Sequence, residues 1–199
     1  ASLIADLAEP LHFTFPKLSS KQKRKLKSAL GDLVHLSNPL DYQTYVWNDQ
    51  AKLTVAFKSM MGETYDFLFI IMDLPKQGRC TSDAWYPAIA ALKEAKKNAK
   101  CPVGLITSLE ENMPEKFAKD LIKYSIIPLT GLENSLAAVK ALRNVSIQWK
   151  VKSTPSIIWE RWPNEKSRVL DEYQSKKVLS SIGINVPKGF IITDKNSLL

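Results

Sequence analysis

From about Asn38 onward the hydrophobic positions alternate between two kinds of block. One kind spaces apolar residues three or four apart, the mark of a helix with one covered face. The other is a short unbroken apolar run, the mark of a strand buried on both faces. Asn48 or Asp49 can cap a predicted helix carrying Leu53, Phe57 and Met60. YDFLFIIMD (Tyr65–Asp73) follows as a predicted buried strand, and PKQGRCTSD reads as a loop. Ser82 or Asp83 is the predicted cap of a long helix with Trp85, Ile89 and Leu92 on one stripe. Lys93, Lys96, Lys97 and Lys100 crowd its last turns, where cations suit the helix dipole. The unit then repeats. CPVGLITS (Cys101–Ser108) reads as a strand, and Pro114 opens a helix with Phe117, Leu121 and Tyr124. IIPLTG (Ile126–Gly131) is a further short strand, followed by a helix with Leu132, Leu136, Val139 and Leu142.

Strand–helix alternation with short connections predicts an α/β fold, a parallel sheet with helices on both faces. Ligands of such sheets bind beyond the carboxyl ends of the strands, which directs attention to the loops Asn38–Tyr42, Leu74–Ser82 and Thr107–Asn112. After Arg143 the pattern changes. Val151–Arg168, with Pro155, Pro163, Trp159 and Trp162, reads as a linker whose tryptophans pack against a domain surface. Leu170–Ile182 is a predicted helix stopped by Gly183, and Gly189–Thr193 a predicted strand. The expected organisation is a first domain over 1–149, a linker over 150–169 and the start of a second domain over 170–199.

Composition narrows the class. Of 199 residues, 45% are hydrophobic and 24% charged, enough to bury a core and too apolar for a disordered chain. The longest apolar run, Phe67–Met72, is far short of the roughly 20 residues of a membrane span. The start shows no secretory signal, so a cytoplasmic protein without a membrane partner is expected, and the missing initiator Met reads as a piece of something longer. Cys80 and Cys101 lack the paired spacing of a zinc site or disulfide framework and read as two reduced thiols.

The net charge of +8 suits a polyanion partner, and Lys17, Lys21, Lys23, Arg24, Lys25 and Lys27 concentrate it. Ser19 or Ser20 can cap a helix there, with Leu26 and Leu30 on its apolar side. Single-strand binding would want aromatic residues among the lysines, and KLSSKQKRKLKSAL has none. A solvated helix face is therefore the favoured reading over a nucleic-acid surface.

SNPLDYQTYVW, IIMDLPKQGRCTSD and LDEYQSKKVLSSIGINVPKGF together resemble NDP-forming acyl-CoA synthetases, relatives of succinyl-CoA ligase. Asn38–Asp41 (NPLD) resembles the turn that opens the flavodoxin-like CoA-ligase domain of that family. Cys101–Arg143 resembles its last part, and Leu170–Phe190 the opening helix and strand of an ATP-grasp domain. The resemblance implies the reaction acyl-CoA + ADP + phosphate ⇌ carboxylate + CoA + ATP through a phosphohistidine. In the family that histidine lies in a separate domain, in a Ser-His-Thr-Gly-like loop, which neither His12 nor His35 matches. Coenzyme A, ATP/ADP and Mg²⁺ are implied for the parent enzyme, none with a complete site in this chain. The implied partners are the CoA-binding and phosphohistidine domain and the rest of the ATP-grasp domain, and homo-oligomerisation is compatible with the sequence.

By the same resemblance, the helix after the long strand aims its N-terminus at the phosphohistidine, where free N–H groups favour an anion. Carried onto this chain, the facing residues are Gln77, Gly78, Arg79 and Ser82, with Asn38 and Asp41 from the NPLD turn. The family's paired glycines are replaced here by Pro75, Lys76 and Gln77. Asn38–Asp41 is equally a good turn sequence in its own right, Asn38 bonding its own backbone and Pro39 fixing φ. A second reading stays open, an acyl-CoA-binding or regulatory module of an acetyltransferase fusion. A nucleic-acid-binding domain is the third.

Overall fold

Three short strands carry the architecture: β1 (Leu68–Ile71), β2 (Val103–Thr107) and β3 (Ile126–Thr130) pair in parallel in the order β1-β2-β3. Leu68 sits opposite Val103, and Val103 opposite Ile126. The structure is a computed structural model and describes residues 2–42, 44–76, 78–151 and 169–194. The chain divides into two compact units, Ala1–Lys152 and Ser153–Leu199.

Side chains alternate across a strand, so each face of the sheet collects its own core. One face carries Ile70, Val103, Leu105 and Ile126, packed with α2 (Ser20–Leu30), α3 (Gln50–Met61), α4 (Tyr86–Lys96) and α5 (Glu115–Lys123). The other carries Phe69 and Ile71, packed with α1 (Ser2–Ala8) and α6 (Leu132–Trp149). Helices thus cover both faces of an open parallel sheet, as the alternation predicts. β2, in the middle, is buried along its whole length.

The helix starts follow local chemistry. The Ser19 hydroxyl accepts from the Gln22 N–H and the Gln22 side chain accepts from the Ser19 N–H, a reciprocal capping box. Gln22 also donates to the Ser59 carbonyl at 3.2 Å and the Tyr65 hydroxyl at 2.9 Å, tying α2 to the end of α3 and the start of the β1 segment. Asp49 caps α3 through the Lys52 N–H at 2.9 Å. Lys58 of α3 meets Glu94 of α4 at 3.0 Å, and Lys93 of α4 pairs with Asp120 of α5.

Several expectations change. β1 spans four residues rather than Tyr65–Asp73, and Leu68, Phe69 and Ile71 are only half-buried, because among the described residues no strand pairs on the outer side of β1. Met60 packs half-buried against the core as expected, and Met61 beside it is the fully buried methionine of α3. α6 runs past Arg143 to Trp149, and Leu142, expected on its apolar stripe, is exposed. Trp85 lies in a 3₁₀ turn (Asp83–Trp85) ahead of α4.

In the second unit, α7 (Glu172–Ser181) is capped by Asp171, which accepts from the Gln174 N–H at 2.7 Å. Gly183 follows at φ +84, and the Ile184 N–H closes on the Leu179 carbonyl at 3.1 Å, the left-handed stop the sequence predicts. Gly189–Thr193 forms no strand. A strand needs a hydrogen-bonding neighbour, and the described residues of this unit offer none. Trp159, Trp162, Pro155 and Pro163 of the expected linker lie outside the described residues.

Candidate functional site

A parallel sheet brings all its carboxyl ends to one side, so β1 runs into Met72-Asp73, β2 into Thr107-Ser108 and β3 into Thr130-Gly131 on a common rim. Asp73 braces that rim. One carboxylate oxygen accepts from the Ser108 N–H at 2.6 Å and the other from the Ser108 hydroxyl at 2.8 Å. These charge-assisted bonds fix the loop after β1 to the loop after β2. Thr107, fully buried, donates its hydroxyl to the Leu109 carbonyl at 2.8 Å. The Gly131 N–H reaches back to the Thr107 carbonyl at 2.9 Å, joining the loop after β3 to the same rim.

An aromatic layer connects the other two loops. Tyr42 stacks on Trp47 with centroids 5.9 Å apart and meets Phe57 edge-on at 5.4 Å, while Trp47 meets Trp85 edge-on at 6.3 Å. The Asn38–Tyr42 turn is thereby tied through Trp47 to the end of the Leu74–Ser82 loop, a coupling of about 0.5–1.5 kcal/mol per ring pair. The Tyr42 hydroxyl donates to the Ile71 carbonyl at 3.4 Å, at the tip of β1. Burial pushes the Tyr42 phenol well above its ordinary range, with the Asp41 and Asp73 carboxylates adding to the effect.

Asn38 and Asp41 stand on the turn beside this layer. The Asn38 amide donates to the Pro16 carbonyl at 3.1 Å, a structural role that pins the turn to the stretch before α2. Asp41 is exposed, and its carboxylate is near enough to Tyr42 to act on the phenol. Gly78 takes φ +85, a left-handed conformation that a glycine adopts without strain. The Arg79 N–H closes the turn on the Lys76 carbonyl at 3.1 Å, and Lys76, Gly78, Arg79 and Cys80 are all exposed. Gln77 lies outside the described residues.

Ser82 is placed differently from the expectation. Its hydroxyl caps no helix; its carbonyl accepts from the Trp85 N–H at 3.0 Å in the 3₁₀ turn, and α4 begins only at Tyr86. Pro87 explains the delay. An α-helix starting at Asp83 would need the Pro87 N–H to bond the Asp83 carbonyl, and proline has none. The α-helical N–H groups expected at Ser82 therefore begin one turn later, and Asp83 adds a carboxylate in between. The cations of this rim are the exposed Lys76 and Arg79.

Tyr42 and Ser108 fall in loops the sequence singled out, although neither was a candidate site residue, and Asp73 lies just ahead of the loop Leu74–Ser82; the signal for Asp73 is its place as the polar residue directly after the apolar run Phe67–Met72. His12 and His35 are both exposed, His12 at φ +59 closing a 3₁₀ turn after α1. Among the described residues no group of three or more His, Cys, Asp or Glu is placed to hold a metal ion, and no helix is long and apolar enough to cross a membrane. No protein family matches the chain, and no curated protein matches it in sequence.

Proposed function

We propose that this chain is part of an NDP-forming acyl-CoA synthetase, an acid–thiol ligase, supplying its flavodoxin-like CoA-ligase domain and the opening of its ATP-grasp domain. The observation that carries this reading is the pair of cations Lys76 and Arg79, exposed beside Gly78 at the carboxyl end of β1 and next to braced loops. Parallel α/β sheets bind their ligands on this side. In this reading Arg79 supplies a planar fork of donors to a phosphoryl group, and Gly78 lets the backbone come close to it. Asp41 holds a substrate hydroxyl or orients Arg79. Asp73 acts through Ser108, keeping the two loops in one geometry while the anion is bound.

In this reading ATP/ADP, Mg²⁺, coenzyme A and the phosphohistidine belong to the partner domains, as the family resemblance implies. The test is association with a phosphohistidine-bearing, CoA-binding domain of such a ligase. The phosphorylated domain is expected to bind this chain more tightly than the unphosphorylated one, and Arg79→Ala is expected to remove the difference. The chain alone is expected to form no acyl-CoA from ATP, CoA and carboxylate; clear turnover by it alone would refute the division of labour.

A further inference from the structure

The polar side of α2 is charged in a way that the other helices are not. Around α3, α4, α5 and α7 a lysine pairs with an acid about one turn away: Lys52 with Asp49, Lys97 with Glu94, Lys119 with Glu115 and Lys176 with Glu172. α2 holds Lys21, Lys23, Arg24, Lys25 and Lys27, all exposed, and no acid. Among the described residues only Lys27 of this set has an ion pair, with Asp32 at 2.7 Å. The arrangement works against the helix. Lys21 and Lys25, and likewise Lys23 and Lys27, are like charges one turn apart. Lys21 also stands in the first turn, where a cation opposes the dipole. Folding stability gives no reason for such a set, and a ligand of opposite charge does. Gln22, Leu26, Ala29 and Leu30 turn inward and are at most 5% exposed. At 3.6 residues per turn, Lys21 and Lys25 then run along one flank, Lys23 and Lys27 along the other, and Arg24 along the outermost line between them.

We infer that the outer face of α2 seats the sugar–phosphate backbone of a DNA duplex, bound without regard to sequence, its two cationic flanks meeting the phosphates on either side of a major groove. A helix roughly 10–12 Å across matches a groove about 12 Å wide. Lysine is a compact point charge suited to single phosphates, and Gln22, the one amide side chain of α2, is buried and away from any base edge. Other polyanions fit this face less well. A helix lying on a lipid surface sinks an apolar face into it, and the apolar face of α2 is already buried in the core. A single strand stacks its bases on aromatic rings, and this face has none. A flexible acidic peptide must be ordered as it binds, whereas a duplex presents its charges in a fixed array.

The test is fluorescence anisotropy of the full chain with a labelled DNA duplex of about 20 base pairs and scrambled sequence, followed as salt is raised. Contacts from Lys21, Lys23, Arg24 and Lys25 are expected to give a slope of about −3.6 in log affinity against log salt, so affinity falls about a hundredfold between about 50 and 200 mM. The variant Lys21→Gln/Lys23→Gln/Lys25→Gln is expected to flatten that slope to about −1. It is also expected to keep or raise the unfolding midpoint, because the repulsion leaves with the charges. Arg79→Ala is expected to leave duplex affinity unchanged, so this inference and the proposed function fail separately. Absence of duplex binding at about 50 mM salt overturns the inference, and so does a slope that the triple variant does not flatten. Poly-glutamate, or vesicles rich in phosphatidylserine, held as tightly as the duplex overturn it as well.

Discussion

Asp73→Ala is the perturbation that reads the rim most cleanly. The side chain makes two hydrogen bonds to one residue, at 2.6 and 2.8 Å, and both use a charged acceptor. Bonds to charged groups contribute about 1.5–3 kcal/mol each when well shielded. Asp73 and Ser108 are half-buried, so water recovers part of the loss, and about 2 kcal/mol is the expected cost for the pair. For a unit of this size that lowers the melting temperature by about 4–8 °C. Ser108→Ala removes only the hydroxyl bond and is expected to cost about 1 kcal/mol. Urea unfolding of the two single variants and the double variant closes a cycle whose coupling is about 1 kcal/mol, because the hydroxyl bond is lost in either background. Asp73→Asn, which keeps one acceptor, falls between Asp73→Ala and the parent. If Asp73→Ala costs less than about 0.5 kcal/mol and adds to Ser108→Ala without coupling, the two loops are not braced by this contact.

Lys97 and Lys58 bond the Glu94 carboxylate and hold its pKa down to about 2 against an ordinary 4.5; the stability it adds is complete above 4.5 and is lost as pH falls toward 2. NMR titration of Lys97→Ala and Lys58→Ala is expected to show Glu94 moving back toward 4.5. The Tyr42 phenol is raised, so the folded state holds a proton that the unfolded state releases near pH 10, and stability falls as pH climbs above that value. Tyr42→Phe is expected to flatten this alkaline limb at a cost of about 0.5 kcal/mol or less, whereas Tyr42→Ala loses the stacked ring and costs about 3 kcal/mol, both read by urea unfolding. Burial pushes the Cys101 thiol up despite the opposing Tyr65 backbone and Lys96, and Cys80 is exposed. Iodoacetamide is expected to modify Cys80 in the native chain and Cys101 only on unfolding, as mass spectrometry resolves.

Periodicity made the sheet legible because β2 and its neighbours are written in unbroken apolar runs and the helices in clear stripes. Ser19, Asp49, Asp171 and Gly183 mark helix ends through local chemistry, which sequence carries directly. What it does not carry is pairing. Tyr65–Asp73 has the composition of a fully covered strand, yet whether both edges find partners depends on chain segments far away, and among the described residues only one edge is paired. Gly189–Thr193 fails to form a strand for the same reason. Ser82 misled because its capping preference says nothing of the donor that Pro87 removes five residues on, four after Asp83. The brace from Asp73 to Ser108 joins residues 35 apart in sequence, so only the registered alignment of β1 and β2 could reveal it.

The central claim is that the turn at Gly78 and Arg79 presents a cationic rim to a bound anion. It is tested most directly by following backbone amides while inorganic phosphate is added to the full chain. The account predicts shifts concentrated at Gly78, Arg79 and the residues up to Ser82, abolished by Arg79→Ala and partly kept by Arg79→Lys. Shifts that instead gather along the basic helix α2, vanish steeply with salt and ignore Arg79 would contradict it.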